Sequence, residues 1–192
     1  MKKGRIVIIS GPSGSGKTTL QAKLLKSKRV KGKLVESISI TTRPRRKGEK
    51  DGREYFFVSD KMFRYKKRAG HLLESEQVFH CFYGTPRKYV YDLLKKGTHV
   101  LLGIDVKGAR KVRLQYPEAL MIFIKTPSLK VLKERLLKRK TEEPTDLKIR
   151  VAIASQELKA ANRYDFVIIN NDLKKAYAEL ENIVCRELFA KR

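Results

Sequence analysis

The 192-residue chain has no tryptophan and only two cysteines, Cys81 and Cys185, far apart in sequence. That scarcity excludes a disulfide framework and a thiolate metal cluster, and it makes the reducing cytoplasm the expected compartment. No apolar run is long enough to span a membrane. The run Ile6 to Ile9 is too short for a signal-peptide core, and no small-residue cleavage site follows it. Repeats, low-complexity tracts and Pro/Gly/Ser linkers are missing too, so the expectation is one domain built on one core. The histidines, His71, His80 and His99, have no metal-ligand spacing. Acidic residues are also scarce: 20 Asp and Glu face 45 Lys and Arg, a net charge of +25. Such a surface attracts polyanions. The basic residues are spread along the chain with no aromatic–basic signature, so nucleic-acid binding is expected only as a nonspecific effect of charge.

Short apolar runs alternate with helical patterns, which predicts an α/β fold with a parallel sheet between helices. Strands are expected at Arg5 to Ser10, Val35 to Ile40, His99 to Ile104, Leu120 to Lys125 and Phe166 to Ile169. A helix is expected from Thr18 to Lys28. Ser128 can cap another, with Leu129, Leu132 and Leu136 on one face. Asp172 can cap the last, with Leu173, Ala176, Leu180 and Ile183 at helical spacing. From about Arg43 to Tyr83 the rhythm breaks into charged residues and short strand-like pieces, the mark of an inserted lobe. The polar stretch from Arg139 to Asp146 suits a short mobile lid.

The first strand runs into Gly11-Pro12-Ser13-Gly14-Ser15-Gly16-Lys17-Thr18, with a helix behind it. This is the context of a P-loop. Glycines let main-chain N–H groups converge on phosphate oxygens, and the helix start adds its positive end. Lys17 is expected to reach the β and γ phosphates of ATP, and Thr18 to ligate Mg²⁺. Asp105, ending the strand from His99, can hold the metal's water shell or simply cap the next turn.

Arg43 and Arg46 stand three apart and can clamp one phosphate with planar donor forks. Ser39 and Tyr55 offer hydroxyls to the same anion. The charges alone also fit a solvated basic loop. The wider pattern is more specific. Thr41, Arg43, Arg46, Glu49, Gly52 and Tyr55 are followed by Leu72-Leu73-Glu74, Tyr83-Gly84-Thr85, Ile104-Asp105-Val106-Lys107-Gly108 and Val167-Ile168-Ile169-Asn170-Asn171-Asp172. In this combination the chain resembles the guanylate kinases along nearly its whole length.

The resemblance implies ATP- and Mg²⁺-dependent phosphorylation of GMP, and of dGMP, in purine nucleotide metabolism. It implies a single domain over 1–192, with a core (1–40, 86–138 and 147–192), a GMP-binding lobe (41–85) of mixed strands, and a lid (139–146). Carried over by position, Ser39, Arg43, Arg46, Tyr55 and Tyr83 hold the GMP phosphate. Glu74 and Thr85 read the guanine. Arg139 and Arg150 contact the transferring phosphates, and Asn170 lies near adenine. Catalysis is then alignment plus charge neutralisation by Lys17, Mg²⁺, Arg43, Arg139 and Arg150. Gly103 stands where the family usually carries an acid that anchors the guanine side, and Lys107 stands where glutamine is usual. A kinase for another phosphorylated acceptor, such as ribose 1,5-bisphosphate, and a non-catalytic phosphopeptide-binding module are the alternatives. Monomer and homodimer are both open.

Overall fold

A computed structural model describes residues 3–78, 80–137 and 144–189, without the side chains of 144–148. In chain order the elements are β1 (Ile6–Ser10), α1 (Lys17–Lys26), β2 (Leu34–Glu36), β3 (Ile40–Thr41), β4 (Phe56–Phe57), α2 (Asp60–Arg68), β5 (Leu72–Val78), β6 (Cys81–Pro86), α3 (Arg87–Lys95) and β7 (His99–Leu102). There follow α4 (Val106–Gln115), β8 (Leu120–Lys125), α5 (Leu129–Leu137), α6 (Pro144–Leu158), β9 (Phe166–Ile169) and α7 (Leu173–Phe189).

Five strands form a parallel sheet in the order β2-β7-β1-β8-β9. Side chains of a strand alternate between the two faces, so a sheet covered on both sides needs apolar residues at every position. β1 is buried throughout. Val7 and Ile9 pack with Leu20 and Leu24 of α1 and with Leu180 and Val184 of α7. Ile6 and Ile8 face Val90 and Leu94 of α3 and Ala109 and Val112 of α4. The three-layer α/β core expected from the alternation is therefore present. The predicted caps are present as well: Ser128 Oγ accepts from Val131 N–H at 3.2 Å, and Asp172 Oδ1 accepts from Lys175 N–H at 2.8 Å.

The run from Val35 to Ile40 is not one strand. β2 ends at Glu36 in the parallel sheet, and β3 begins at Ile40 in a second, four-stranded sheet ordered β4-β3-β6-β5. The two sheets compete for the same β-prone run, and Ser37 to Ser39 carry the chain between them. The second sheet is mixed: β3 pairs parallel with β4 and antiparallel with β6. Phe63 of α2 fills its small core with Ile40 and Leu72. β5 is tied to the main core at its backbone. Leu72 and Leu73 carbonyls accept from Arg87 and Gln115, each at 3.0 Å. β7 ends at Leu102, just before Gly103.

Candidate functional site

The P-loop is shaped by close backbone approaches that only glycine permits. A Cβ on Gly11 would run into the Ile124 carbonyl of β8, and one on Gly16 into the amide of Asn170. Gly16, at φ 88°, forms the left-handed N-cap of α1. Ser15 Oγ is fully buried within the loop with no protein partner among the described residues. Such a hydroxyl fits a site that receives phosphate oxygens. Asn170 is turned onto this loop: its Nδ2 donates to the Ser15 carbonyl at 2.8 Å, and its own carbonyl accepts from Arg135. It therefore braces the P-loop from the end of β9.

Lys17 opens α1, and its Nζ donates to the Gly11 carbonyl at 3.3 Å. Burial draws its pKa below the usual lysine value, against the opposing pull of Glu157 and Asp105. Asp105 does cap α4, accepting from Gly108 N–H at 2.7 Å. Its carboxyl is pushed up by burial and pulled down by that bond and by Lys17. The cap and the approach to Lys17 are thus features of one side chain. Burial likewise raises Glu157 of α6, whose charge acts on both Lys17 and Asp105. Thr18 is exposed beside Lys17, and the Asp105 and Glu157 carboxylates act on Lys17; hydroxyl and carboxylate oxygens are the hard donors that Mg²⁺ prefers.

The second sheet carries two clusters. In the first, Arg43 is held by Glu49 through Nη2 bonds of 2.7 and 3.0 Å, and its Nη1 donates to the Pro44 carbonyl. Thr41 Oγ1 accepts from Arg43 N–H, fixing the turn after β3. The guanidinium lies 5.4 Å from the Tyr55 ring centre, and the Tyr83 ring, which also acts on Arg43, meets Tyr55 edge-on at 5.9 Å. Burial opposes the charge on Arg43, but Glu49 and Tyr83 raise its pKa above the ordinary arginine value. The Arg46 side chain is exposed, its backbone N–H donates to Glu49, and its charge acts on Tyr55. Ser39 sits at the same edge, its carbonyl accepting from Phe56 N–H.

In the second cluster Glu74 of β5 is only 7% exposed and Thr85 of β6 is wholly buried. Thr85 Oγ1 donates to Glu74 Oε1 at 2.5 Å. Burial pushes the Glu74 pKa up to about 7; the Thr85 bond opposes this, and the nearby Asp105 and Glu76 charges add to it. Gly108 makes the room: an added Cβ there would sit 2.8 Å from Glu74 Oε2 and 3.3 Å from Asp105 Oδ1. The two carboxylates therefore share one pocket wall. Arg150 is half-buried on α6. Arg139, and the lid stretch 139–143, lie outside the described residues.

Comparison with known proteins agrees with this fold. Residues 3–187 match the family model described as guanylate kinase. The chain belongs to the guanylate kinase family. It is 42% identical to a guanylate kinase of Symbiobacterium thermophilum over 185 residues, covering 96% of this chain and 86% of that protein. A guanylate kinase of Rickettsia prowazekii is 40% identical, with 96% and 92% covered. The crystal structure of guanylate kinase from Anaplasma phagocytophilum superimposes with a TM-score of 0.80 at 34% identity, covering 100% of this chain and 89% of that one.

One residue of this guanylate kinase family member escapes a reading of single motifs, and a second is seen but not its job. Glu157 is far in sequence from Lys17, and only the packing of α6 joins them. Glu49 is visible in sequence as part of the family pattern, yet its work is to orient Arg43. Replacing Glu49 with Gln is expected to raise KM for GMP about tenfold, with kcat changed much less, because the fork loses a charge-assisted anchor. Steady-state kinetics decide it. An unchanged KM would reduce Glu49 to a loop tie.

Proposed function

We propose that the chain transfers the γ-phosphoryl group of ATP to the phosphate of GMP, and of dGMP, forming the nucleoside diphosphate. The observation that supports this reading is the buried Glu74–Thr85 pair, whose carboxylate feels the charge of Asp105, which in turn acts on Lys17 of the P-loop. Guanine offers donors at N1 and N2, which a carboxylate accepts. Adenine reverses that polarity and would leave Glu74 buried and unpaired, a mismatch worth about 10⁴-fold in favourable cases.

The roles combine the family pattern with the geometry of the described residues. Lys17 and the N–H groups of the P-loop hold the ATP phosphates, while Arg43, Arg46, Tyr55, Tyr83 and Ser39 hold the acceptor phosphate. Arg139 and Arg150, carried over from the family pattern, complete the charge neutralisation. Thr18 and Asp105 would hold Mg²⁺, with Glu157 beside them. The ion, when bound, supplies positive charge to the ATP phosphates. The acceptor phosphate is already an anionic nucleophile, so no general base is required, and alignment with charge balance is the whole task.

Neither a ribose bisphosphate kinase nor a phosphopeptide module finds support in the comparisons. A coupled assay of ADP release with Mg·ATP and GMP, dGMP, AMP, UMP or ribose 1,5-bisphosphate tests the reading. Turnover is expected with GMP and dGMP. No ADP release with GMP would overturn it.

A further inference from the structure

Gln21 lies on α1 one turn beyond Lys17 and is only 5% exposed. Its amide rests against Gly103, where an added Cβ would stand 2.6 Å from Nε2 and 2.9 Å from Oε1. No group among the described residues accepts a hydrogen bond from Nε2. A second buried donor lies beside β7. Ser37 is also 5% exposed, its hydroxyl has no partner among the described residues, and its backbone N–H donates to Leu101 of β7.

The position of this pair in the sheet is informative. β7 lies between β2 and β1, on the side where the chain leaves for the second sheet and Glu74. Asn170, at the end of β9, marks the opposite side. A buried amide donor without an acceptor is disfavoured and persists mainly where function requires it. Gln21 is therefore placed to serve the acceptor nucleotide rather than ATP.

We propose that Gln21 is a binding residue for the acceptor nucleotide, its Nε2 donating to an oxygen that the bound monophosphate or its ordered water brings, and that Gly103 is the residue that leaves room for the amide. This rests on the GMP kinase reading. It also explains how the chain manages without a side chain at position 103: the volume is occupied from α1.

The test compares wild type with Gln21→Leu, Gly103→Ala and the double variant. It measures KM and kcat, and the rise in Tm produced by GMP and separately by Mg·ATP. Gln21→Leu should raise KM for GMP about tenfold and shrink the GMP-induced rise, leaving kcat and the Mg·ATP-induced rise near wild type. Gly103→Ala should give the same pattern with Gln21 still present, because its methyl displaces the amide. The double variant should be no worse than either single one, since both act on one contact. Wild-type KM and GMP response in Gln21→Leu would overturn the inference. So would an equal loss of the Mg·ATP response, which would mark general damage to α1. A wild-type protein showing no response to GMP would instead overturn the kinase reading, and this inference with it.

Discussion

Replacing Glu74 with Gln should lower kcat/KM for GMP by about 10³-fold while making the ligand-free protein more stable at pH 8. The two effects have one source. Glu74 is a carboxylate held out of water, accepting from Thr85 and flanked by Asp105 and Glu76. Its pKa is therefore pushed up to about 7. In binding, the carboxylate must accept from both guanine donors, and an amide can accept at only one of its two atoms while the other repels. Discrimination against AMP should shrink with it, because the amide can pair with either base edge. An unchanged GMP-to-AMP ratio of kcat/KM would remove Glu74 from base recognition.

The pH dependence follows with a definite sign. The folded-state pKa lies above the ordinary carboxyl value, so the native state binds the Glu74 proton more tightly than the unfolded chain does. That contribution to stability is fully present below about pH 4.5 and is lost as pH rises through about 7. Its full size is up to about 3 kcal/mol. Wild type and Glu74→Gln should then unfold alike near pH 4.5 and diverge by several degrees in Tm at pH 8, with the variant higher. Function has the opposite slope. For wild type, kcat/KM for GMP should fall as pH drops below about 7, because the protonated acid cannot accept both donors. GMP's own phosphate titrates near 6, so Glu74→Gln should lose the limb near 7 and keep the lower one. Coincident limbs in both proteins would place the titrating group on the substrate alone.

The core and the P-loop are legible in sequence because both rest on local patterns. The apolar strands of a doubly covered sheet and the glycine spacing before Lys17 each carry their own physical reason. What the sequence hides depends on distant pairing. The β-prone run from Val35 to Ile40 is divided between two sheets, a choice made by β7 and by β6 far along the chain. Glu74 follows Leu72 and Leu73 in a way that suits a solvent-facing strand position, and only the family motifs around it argue otherwise. Its burial depends on α4, where Gly108 opens the space. Gln21 looks like a polar residue on an exposed helix face, but the absent side chain at Gly103 draws it inward. Asn170 is a similar case: its bond to the Ser15 carbonyl is a product of how β9 meets the loop, which no single motif shows.

Lys17→Met should lower kcat by about 10³-fold or more while leaving the fold intact. The variant keeps the apolar stem and removes the charge that balances the transferring phosphoryl group. Little structure depends on that charge, since the hydrogen bond to the Gly11 carbonyl is long at 3.3 Å. Burial already disfavours the ammonium, whereas Glu157 and Asp105 favour it. Removing it relieves the first effect and deprives both carboxylates of their cation, so their raised pKa values should rise further. Groups whose folded pKa is raised lose their stabilising contribution as pH rises through it. The variant should therefore match wild type in Tm at acid pH, where both carboxyls are protonated, and fall behind it as pH rises through their raised pKa values. A kcat within tenfold of wild type would refute the role of Lys17. A Tm difference that stays the same across the pH range would show that Glu157 and Asp105 do not depend on its charge.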